Sequence, residues 1–395
     1  MAKFRALAAI SVCLLAAACA SLPRNPVPAA LVEQAQPVGF ENTRFWGDER
    51  PKNLDQIIEA NVAQLRVKRP ELFRPGRPFL ANYLAISGGG SDGAFGAGLL
   101  VGWSKRGTRP KFQIVTGVSA GALTAPFAFL GRVQDNALKE VFTKYDTQDF
   151  VRKRIIAGVL GGSALADSRP LANVIAQYAD MSFLEAIARE HETGRRLLIG
   201  TTNLDAQRPV IWDMGAIAAR RSPEALQLFR QILLASASIP GVFPPVRIQV
   251  RAGANVREEL HVDGGTTSQV FLFPSQIMLK TYDRRYGIQA RRKLYVIRNG
   301  RLSPEHKVVK AETLAIAGRS ISTLIKNQGI GDLYRLHATA RRNGFTYHQA
   351  SIPKDFKDSS DEPFDRNYMN ALFDIGYRLG KAGYRWAKAP PGFGG

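Results

Sequence analysis

Cysteine is almost absent from this sequence: Cys13 and Cys19 are the only two among 395 residues, and both lie near the start. A disulfide framework and a thiolate zinc site are therefore excluded for the rest of the chain. Histidine is also scarce, with five residues. Because the sequence contains no His-Glu-x-x-His pattern and no other paired ligand spacing, a zinc hydrolase is not expected.

Acidic residues are few relative to basic ones, 33 against 54, which leaves a net charge of +21 at pH 7. A chain this basic favours an anionic partner or surface. No nucleic-acid-binding motif accompanies the charge, so a nucleic-acid partner is not expected. Since 45% of the residues are hydrophobic, the chain can bury one large core or two modest ones, and a mainly disordered chain is excluded.

The apolar stretch at the N-terminus is too short for a membrane-spanning helix. Lys3 and Arg5 precede a small and apolar run of thirteen residues, 6–18, whereas a spanning helix needs about 20. This pattern predicts an export signal over residues 1–18. The residues that end at Cys19 resemble the lipobox of bacterial lipoproteins, with Ala16 at the usual Leu position. The resemblance implies that Cys19 is lipidated; a plain cleaved signal with an incidental cysteine is the alternative.

A lipidated Cys19 followed by Ala20, rather than by Asp, implies an outer-membrane lipoprotein that faces the periplasm. Residues 22–37 are rich in Pro, Ala and Val and predict an extended tether. The expected organisation is a signal peptide at residues 1–18, a lipid-anchored tether with an N-terminal lead-in to the domain at 19–77, a main domain at 78–300 and a mostly helical C-terminal extension at 301–395.

Strand and helix candidates alternate along the main domain. The apolar strand candidates are 82–87, 113–116, 197–202, 209–212, 260–262 and 294–298. The helix candidates between them include 94–106, 120–130, 182–192 and 224–236. This alternation predicts an α/β fold of three layers, with a mainly parallel central sheet flanked by helices. The extension is predicted to be helical over 307–326 and 367–386.

Two glycine-rich loops follow predicted strands. The first, residues 87–93, contains a literal Gly-x-Gly-x-x-Gly, but no acidic residue follows at the distance that a dinucleotide-binding site requires. Both this loop, at 89–93, and the second loop, at 117–121, match Gly-x-Ser-x-Gly. A nucleophile elbow is a tight turn directly between a strand and a helix, which describes Ser119. Ser91 instead follows three glycines, whose bare amides suit an oxyanion hole. The alternative is that both loops are simple turns.

A serine nucleophile needs a base, and no histidine lies in a recognisable position. His261 is predicted to lie on the same face of a strand as Asp263, but a lone histidine there is more often structural. Asp263 precedes two glycines and, taken alone, fits an Asp-Gly turn equally well. The residues alone therefore leave the base open.

Four segments together resemble the patatin-like phospholipase family, in the order in which the family has them. They are the glycine-rich oxyanion segment 87–93, the nucleophile elbow 117–121, the segment 235–245, and the Asp-Gly-Gly block 263–265. The resemblance spans residues 82–273 and implies a patatin-like fold, a catalytic domain over 78–300 and a Ser119–Asp263 dyad without histidine. It also implies oxyanion donors at Gly88, Gly89, Gly90 and Ala120.

Asp92 departs from this family pattern, which usually has Arg or Lys at that position. A carboxylate there would repel an anionic head group or the oxyanion, unless it is only a solvated turn residue. The resemblance implies a serine lipid acyl hydrolase that needs no metal or organic cofactor and acts on phospholipid or another acyl ester at a membrane. The alternative is a basic lipoprotein of weak or no activity that binds anionic lipid.

Overall fold

The computed structural model describes residues 24–74, 76, 78–150, 152–153, 164, 166–360 and 362–393. The predicted signal over 1–18 and Cys19 lie outside these residues. The strands in chain order are β1 Gln36–Pro37, β2 Arg44–Trp46, β3 Phe79–Ile86, β4 Ile114–Gly117, β5 Arg152–Lys153, β6 Ala166–Asp167, β7 Arg196–Asn203, β8 Arg208–Asp213, β9 Val246–Ala252, β10 Asn255–Asp263, β11 Ala290–Arg298 and β12 Phe345–Ser351.

Helices connect these strands and cover the sheet. In chain order the α-helices are α1 Leu54–Lys68, α2 Gly93–Arg106, α3 Ala120–Leu130, α4 Asp135–Thr143, α5 Thr147–Phe150, α6 Arg169–Tyr178, α7 Met181–Glu192, α8 Met214–Ala218, α9 Pro223–Ser236, α10 Leu279–Tyr286, α11 Thr313–Asn343 and α12 Arg366–Ala382. The sequence prediction of alternating strands and helices is confirmed over the main domain.

The central part of the main sheet is parallel, as predicted. Strands β7, β4, β3, β11 and β12 lie side by side in this order and run in one direction. Antiparallel strands extend the sheet beyond β7: β10, β9 and β1 follow one another, and β8 pairs with β7 and β2. Apolar side chains from both faces of the parallel strands form the two largest cores, so helices on both faces bury the sheet.

The chain after residue 300 shares the core of the preceding residues. Strand β12 pairs in parallel with β11, and α12 packs on α2 at backbone distance. Glycines make this approach possible: a Cβ on Gly98 or Gly102 would lie about 2 Å from a main-chain oxygen of α12. Gly376 and Gly380 play the same part on α12. Close packing of this kind depends on small residues four apart on both helices.

Residues 24–37 do not form a free tether, so that prediction is wrong for the described part of the segment. Arg24 forms a bidentate ion pair with Asp205, at 2.6 and 3.1 Å. Pro26 forms an isolated β-bridge with Glu258, and β1 pairs with β9 at the edge of the sheet. Composition suggested an extended chain, but long-range strand pairing fixes the segment against the domain.

Candidate active site

The sheet itself brings the elbow and the Asp-Gly-Gly block together. Strand β4 pairs with residues 196–199 of β7, and β10 pairs with residues 201–203 of the same strand. Because β8 occupies the opposite side of β7 at both places, β4 and β10 lie along one side of β7 and meet end to end beside Gly200. Ser119 follows the carboxyl end of β4, and Asp263 is the last residue of β10.

Ser119 occupies a strained tight turn between β4 and α3. Its φ and ψ are 55° and −126°, and a positive φ is rare for a residue with a side chain. Glycines provide the space for the turn: a Cβ on Gly117 would lie 2.3 Å from the oxygen of Gly121, and one on Gly121 would lie 2.3 Å from that of Ile86. The geometry is that of a nucleophile elbow, with the serine ahead of a helix N-terminus.

Asp263 is a buried carboxylate in contact with this serine. Its side chain accepts a hydrogen bond of 2.7 Å from the amide of Gly265 and lies beside the Ser119 hydroxyl. Burial raises the pKa of Asp263 to about 6, although the Ser119 hydroxyl and the Gly265 amide both act to lower it. A carboxyl group with this pKa is a far better proton acceptor near neutral pH than an ordinary aspartate.

His261 lies on the same face of β10 as Asp263 but belongs to a separate buried network. Its Nδ1 is 2.9 Å from the hydroxyl of Thr201, and its Nε2 is 3.0 Å from Glu259. Burial lowers the pKa of His261. Burial alone would raise the pKa of Glu259, but the contact with Arg44 holds this pKa at about 2. With both ring nitrogens engaged in this network, His261 has a structural role.

Three main-chain amides around Ser119 are candidates for an oxyanion hole. Within the described part of the chain, the amides of Gly89, Gly90 and Ala120 have no hydrogen-bond acceptor. The prediction that Gly88 is a further donor is wrong, because its amide already donates to the main-chain oxygen of Gln269 at 3.0 Å. Gly88 instead leaves space, since a Cβ on this residue would lie 3.1 Å from Cβ of Ser119.

A buried arginine fixes the orientation of the glycine loop. Arg298 donates to the oxygen of Gly88 at 3.0 Å and to the hydroxyl of Ser87 at 3.1 Å. In a trans peptide the C=O and the following N–H point in opposite directions, so the amide of Gly89 points away from Arg298. Asn299 adds two hydrogen bonds to Ser87, at 2.8 and 2.9 Å. Arg298 is the last residue of β11 and Asn299 follows it; the sequence alone gave neither a role.

Ser236 supports the nucleophile from α9. Its hydroxyl accepts a hydrogen bond from the amide of Ser119 at 3.0 Å and donates to the oxygen of Gly200 at 2.6 Å. The neighbouring Ser238 provides the oxygen that accepts from the amide of Asp263, at 2.9 Å. The segment 235–245 therefore ties both ends of the dyad to the junction on β7.

Ser91 and Asp92 bind the C-terminal segment, so neither is a free turn residue. The Ser91 hydroxyl accepts from the amide of Phe364 at 2.8 Å, and the Asp92 carboxylate accepts from the Tyr368 hydroxyl at 2.7 Å. Burial raises the pKa of Asp92 to about 6, while Tyr368 and the charge of Arg301 lower it. Phe364 and Tyr368, more than 270 residues further along the chain, thus hold the glycine loop in place.

An apolar pocket opens beside Ser119. The pocket and its open mouth together enclose about 450 Å3 of space between atoms. Apart from the loop residues, its lining is formed mainly by apolar side chains of α3, α4, α5 and α6 and by Phe364 of the C-terminal segment. A second apolar pocket, also open to solvent, adjoins it between α3, α6 and α7. The two pockets share four wall residues: Leu123, Val141, Phe150 and Leu171.

Residues 84–274 match the family model of the patatin-like phospholipases. This segment is a patatin-like phospholipase domain. The match over these residues supports a lipid-hydrolysing esterase or phospholipase activity for this domain. The matched residues include Ser119, Asp263 and the loop at 87–93, and the family resemblance drawn from the sequence is confirmed.

Among curated protein sequences, none matches this chain. Solved structures with similar folds include VipD from Legionella pneumophila, at 12% identity and a TM-score of 0.38, covering 78% of this chain and 67% of that one. A chain of the SpcU–ExoU complex from Pseudomonas aeruginosa is 13% identical with a TM-score of 0.29, and the match covers 78% of this chain and 52% of that one. Human GIVD cytosolic phospholipase A2 is 10% identical with a TM-score of 0.36, and the match covers 86% of this chain and 66% of that one. The patatin-like assignment rests on the domain match rather than on these distant folds.

Over the ranges that the structure describes, no group of three or more His, Cys, Asp or Glu side chains is arranged to hold a metal ion. The same ranges contain no helix that combines the length and the apolar character needed to cross a bilayer. Lipidation of Cys19 stays a prediction.

Proposed function

We propose that this patatin-like enzyme hydrolyses lipid acyl esters with Ser119 as nucleophile and Asp263 as its base, at the surface of a membrane. The observation that carries the proposal is the contact between the serine hydroxyl of the elbow and a buried carboxylate whose pKa is about 6. Free amides and an apolar pocket lie beside the same hydroxyl.

In the first half of the reaction, Asp263 takes the hydroxyl proton while Oγ of Ser119 bonds to the ester carbonyl carbon. The carbonyl oxygen becomes an oxyanion, which the amides of Gly89, Gly90 and Ala120 stabilise. Loss of one such donor costs about 3 kcal/mol in the transition state. The C–O bond to the alcohol then breaks, and the alcohol oxygen takes the proton back from Asp263.

In the second half, Asp263 removes a proton from water, whose oxygen bonds to the acyl carbon. The bond to Ser119 breaks, the serine recovers a proton from Asp263, and a fatty acid leaves. Both halves need an ionised carboxylate at the start, which a pKa of about 6 provides at neutral pH. No histidine is required.

The pocket favours an extended acyl chain as the bound part of the substrate. Its lining is almost entirely apolar, and the second pocket adjoins it between α3, α6 and α7. Burial of apolar surface supplies binding energy without direction, so the pocket would select acyl length and bulk rather than head group. A phospholipid or another long-chain ester fits this site.

The membrane part of the proposal follows from the sequence and charge. Cys19 would be lipidated and would anchor the enzyme in the outer membrane, facing the periplasm. The net charge of +21 favours an anionic leaflet, where each cation near the surface contributes about 1 kcal/mol.

Labelling with a fluorophosphonate probe, together with hydrolysis of a p-nitrophenyl ester, tests the proposal. Ser119→Ala is expected to abolish both, and Asp263→Asn to abolish hydrolysis, with the far-UV circular dichroism unchanged. Ser91→Ala is the matched control, because this serine stands in the other Gly-x-Ser-x-Gly loop and should leave labelling at Ser119. Activity that survives Ser119→Ala would refute the dyad. A wild-type protein that neither labels nor hydrolyses but binds anionic vesicles would favour the lipid-binding alternative.

A further inference from the structure

Exposed apolar side chains are concentrated in one short part of the chain. The described residues include eleven large hydrophobic side chains that are exposed, and five of them lie between residues 308 and 324. They are Val308, Val309, Ile316, Ile321 and Leu324, with exposed fractions of 83, 37, 51, 55 and 70%. Single exposed apolar residues are ordinary, whereas a cluster of this kind marks an interaction surface. We call residues 304–328 the arm.

The arm projects from the end of the sheet where Ser119 lies. Helix α11 runs antiparallel to the central strands, because it leads directly into the amino end of β12. Its second half packs on the sheet through Leu333, Leu336 and Ala340, and Gly329 lies against Arg298 at the carboxyl end of β11. The helix before this point, residues 313–328, extends about 24 Å at 1.5 Å per residue.

Polar contacts hold one side of the arm and leave the apolar side chains outside. Lys326 donates to the main-chain oxygen of Ser303 and pairs with Glu305 at 2.7 Å. Arg319 donates to the main-chain oxygen of Glu305. The helical part of the arm, from residue 313 on, is therefore held by residues 303 and 305 of the loop that follows β11.

Charge and position favour a lipid surface as the partner of this arm. The arm contains four basic residues, Lys307, Lys310, Arg319 and Lys326, against two acidic ones, Glu305 and Glu312. Helices that combine an apolar face with Lys and Arg lie in the interface of anionic membranes. The described residues begin at the same edge, since Arg24 binds Asp205 in the turn beyond β7.

We propose that the arm is an interfacial membrane-binding element, which docks the Ser119 end of the enzyme on an anionic bilayer. The choice of a lipid surface, rather than a protein partner, rests on the proposed function. Val308, Val309, Ile316, Ile321 and Leu324 would enter the outer part of the leaflet, while the exposed Lys310 meets its phosphates.

A local fluorescence experiment tests the docking without relying on catalysis. The full chain carries Cys13→Ala and Cys19→Ala, so that no acyl anchor or second thiol interferes, and Leu324→Cys is labelled with an environment-sensitive dye. Val133→Cys is the matched control, because Val133 is 84% exposed and follows α3 at the other end of the sheet. Vesicles of phosphatidylcholine alone and with phosphatidylglycerol are compared.

The dye at position 324 is expected to shift to the blue, to be quenched by lipid-attached quenchers, and to respond more strongly to the anionic vesicles. The dye at position 133 should not respond. No response at position 324 with either vesicle would overturn the proposal. So would a blue shift that depends on protein concentration without vesicles, since a second copy of the chain would then cover the arm.

A kinetic experiment separates docking from chemistry. The triple variant Ile316→Ser, Ile321→Ser, Leu324→Ser is expected to raise the apparent KM for phosphatidylglycerol vesicles about 10-fold or more, because three apolar side chains no longer enter the interface. Hydrolysis of a soluble short-chain ester should be unchanged. Equal effects on both substrates would contradict the arm's role. If the wild type hydrolyses neither substrate, the proposed function fails while the fluorescence result still decides the docking.

Discussion

Replacing Asp263 by Asn is expected to stabilise the protein at neutral pH while it ends catalysis. The pKa of this carboxyl group is about 6 in the folded protein, against an ordinary value of 3.8, and burial is the main cause. Two pKa units correspond to about 3 kcal/mol, by which the ionised carboxylate destabilises the folded state. Asparagine has a similar shape and no charge, so it avoids this cost.

The effect has a definite sign with pH. Below about pH 4 the carboxyl group is protonated in both states and costs nothing. Between pH 4 and 6 the unfolded chain loses its proton first, so the folded protein binds more protons and its free energy of unfolding falls as pH rises. Above pH 6 the full cost of about 3 kcal/mol remains.

Urea unfolding of both proteins from pH 4 to pH 8 measures this cost. Other carboxyl groups with raised pKa, such as Asp92 and Asp332, titrate in both proteins and cancel in the difference. The difference in the free energy of unfolding between Asp263→Asn and wild type should grow by about 3 kcal/mol from pH 4 to pH 7 and then stay level. Ser119→Ala is the control, since it is also inactive but retains the buried carboxylate. If the difference in the free energy of unfolding does not change with pH, the raised pKa of Asp263 in the folded protein is refuted.

Four further predictions follow from the site and its packing. The kcat/KM of the wild type should fall about tenfold per pH unit below pH 6, as Asp263 takes up a proton, in a pH–rate profile with a p-nitrophenyl ester. Phe364→Ala removes a wall of the acyl pocket, so a panel of esters should show relative kcat/KM moving about 10-fold toward bulkier acyl groups. Arg298→Lys keeps the charge but replaces the guanidinium, whose Nη1 donates to the Gly88 oxygen, by a shorter ammonium group, and kcat should fall with little change in KM. Gly102→Ala should destabilise the protein by about 1–3 kcal/mol in thermal unfolding, whereas Gly318→Ala on the open arm should be neutral or stabilising.

Ser119 and Asp263 could be singled out from the sequence because a local pattern marks each of them. An apolar strand that ends in Gly-x-Ser-x-Gly predicts the elbow at Ser119, and the Asp-Gly-Gly block points to Asp263 once the family resemblance is recognised. What the sequence did not show is how the two meet. Their contact depends on β4 and β10 sharing one side of β7 at Gly200, which is a property of strand pairing over a long range.

The C-terminal part of the chain was only partly predictable, for physical reasons that differ from place to place. Strand β12 was missed because a polar side chain interrupts its apolar pattern: Gln349 is buried and takes a hydrogen bond from Tyr347. The packing of α12 on α2 did leave a signal, namely glycines four residues apart in both helices. That signal becomes informative only when the two helices are known to be neighbours.

Asp92 shows how a departure from a family pattern can reflect a long-range contact rather than lost chemistry. An acidic residue beside an oxyanion hole is unfavourable if it faces the developing charge, but this carboxylate accepts a hydrogen bond from Tyr368 and feels the positive charge of Arg301. The positive charge that the family usually carries in this loop has a counterpart in Arg298, which binds the loop through the Gly88 oxygen. We therefore infer that the oxyanion loop of this chain relies on two groups outside the motif, Arg298 at the end of β11 and Tyr368 in α12.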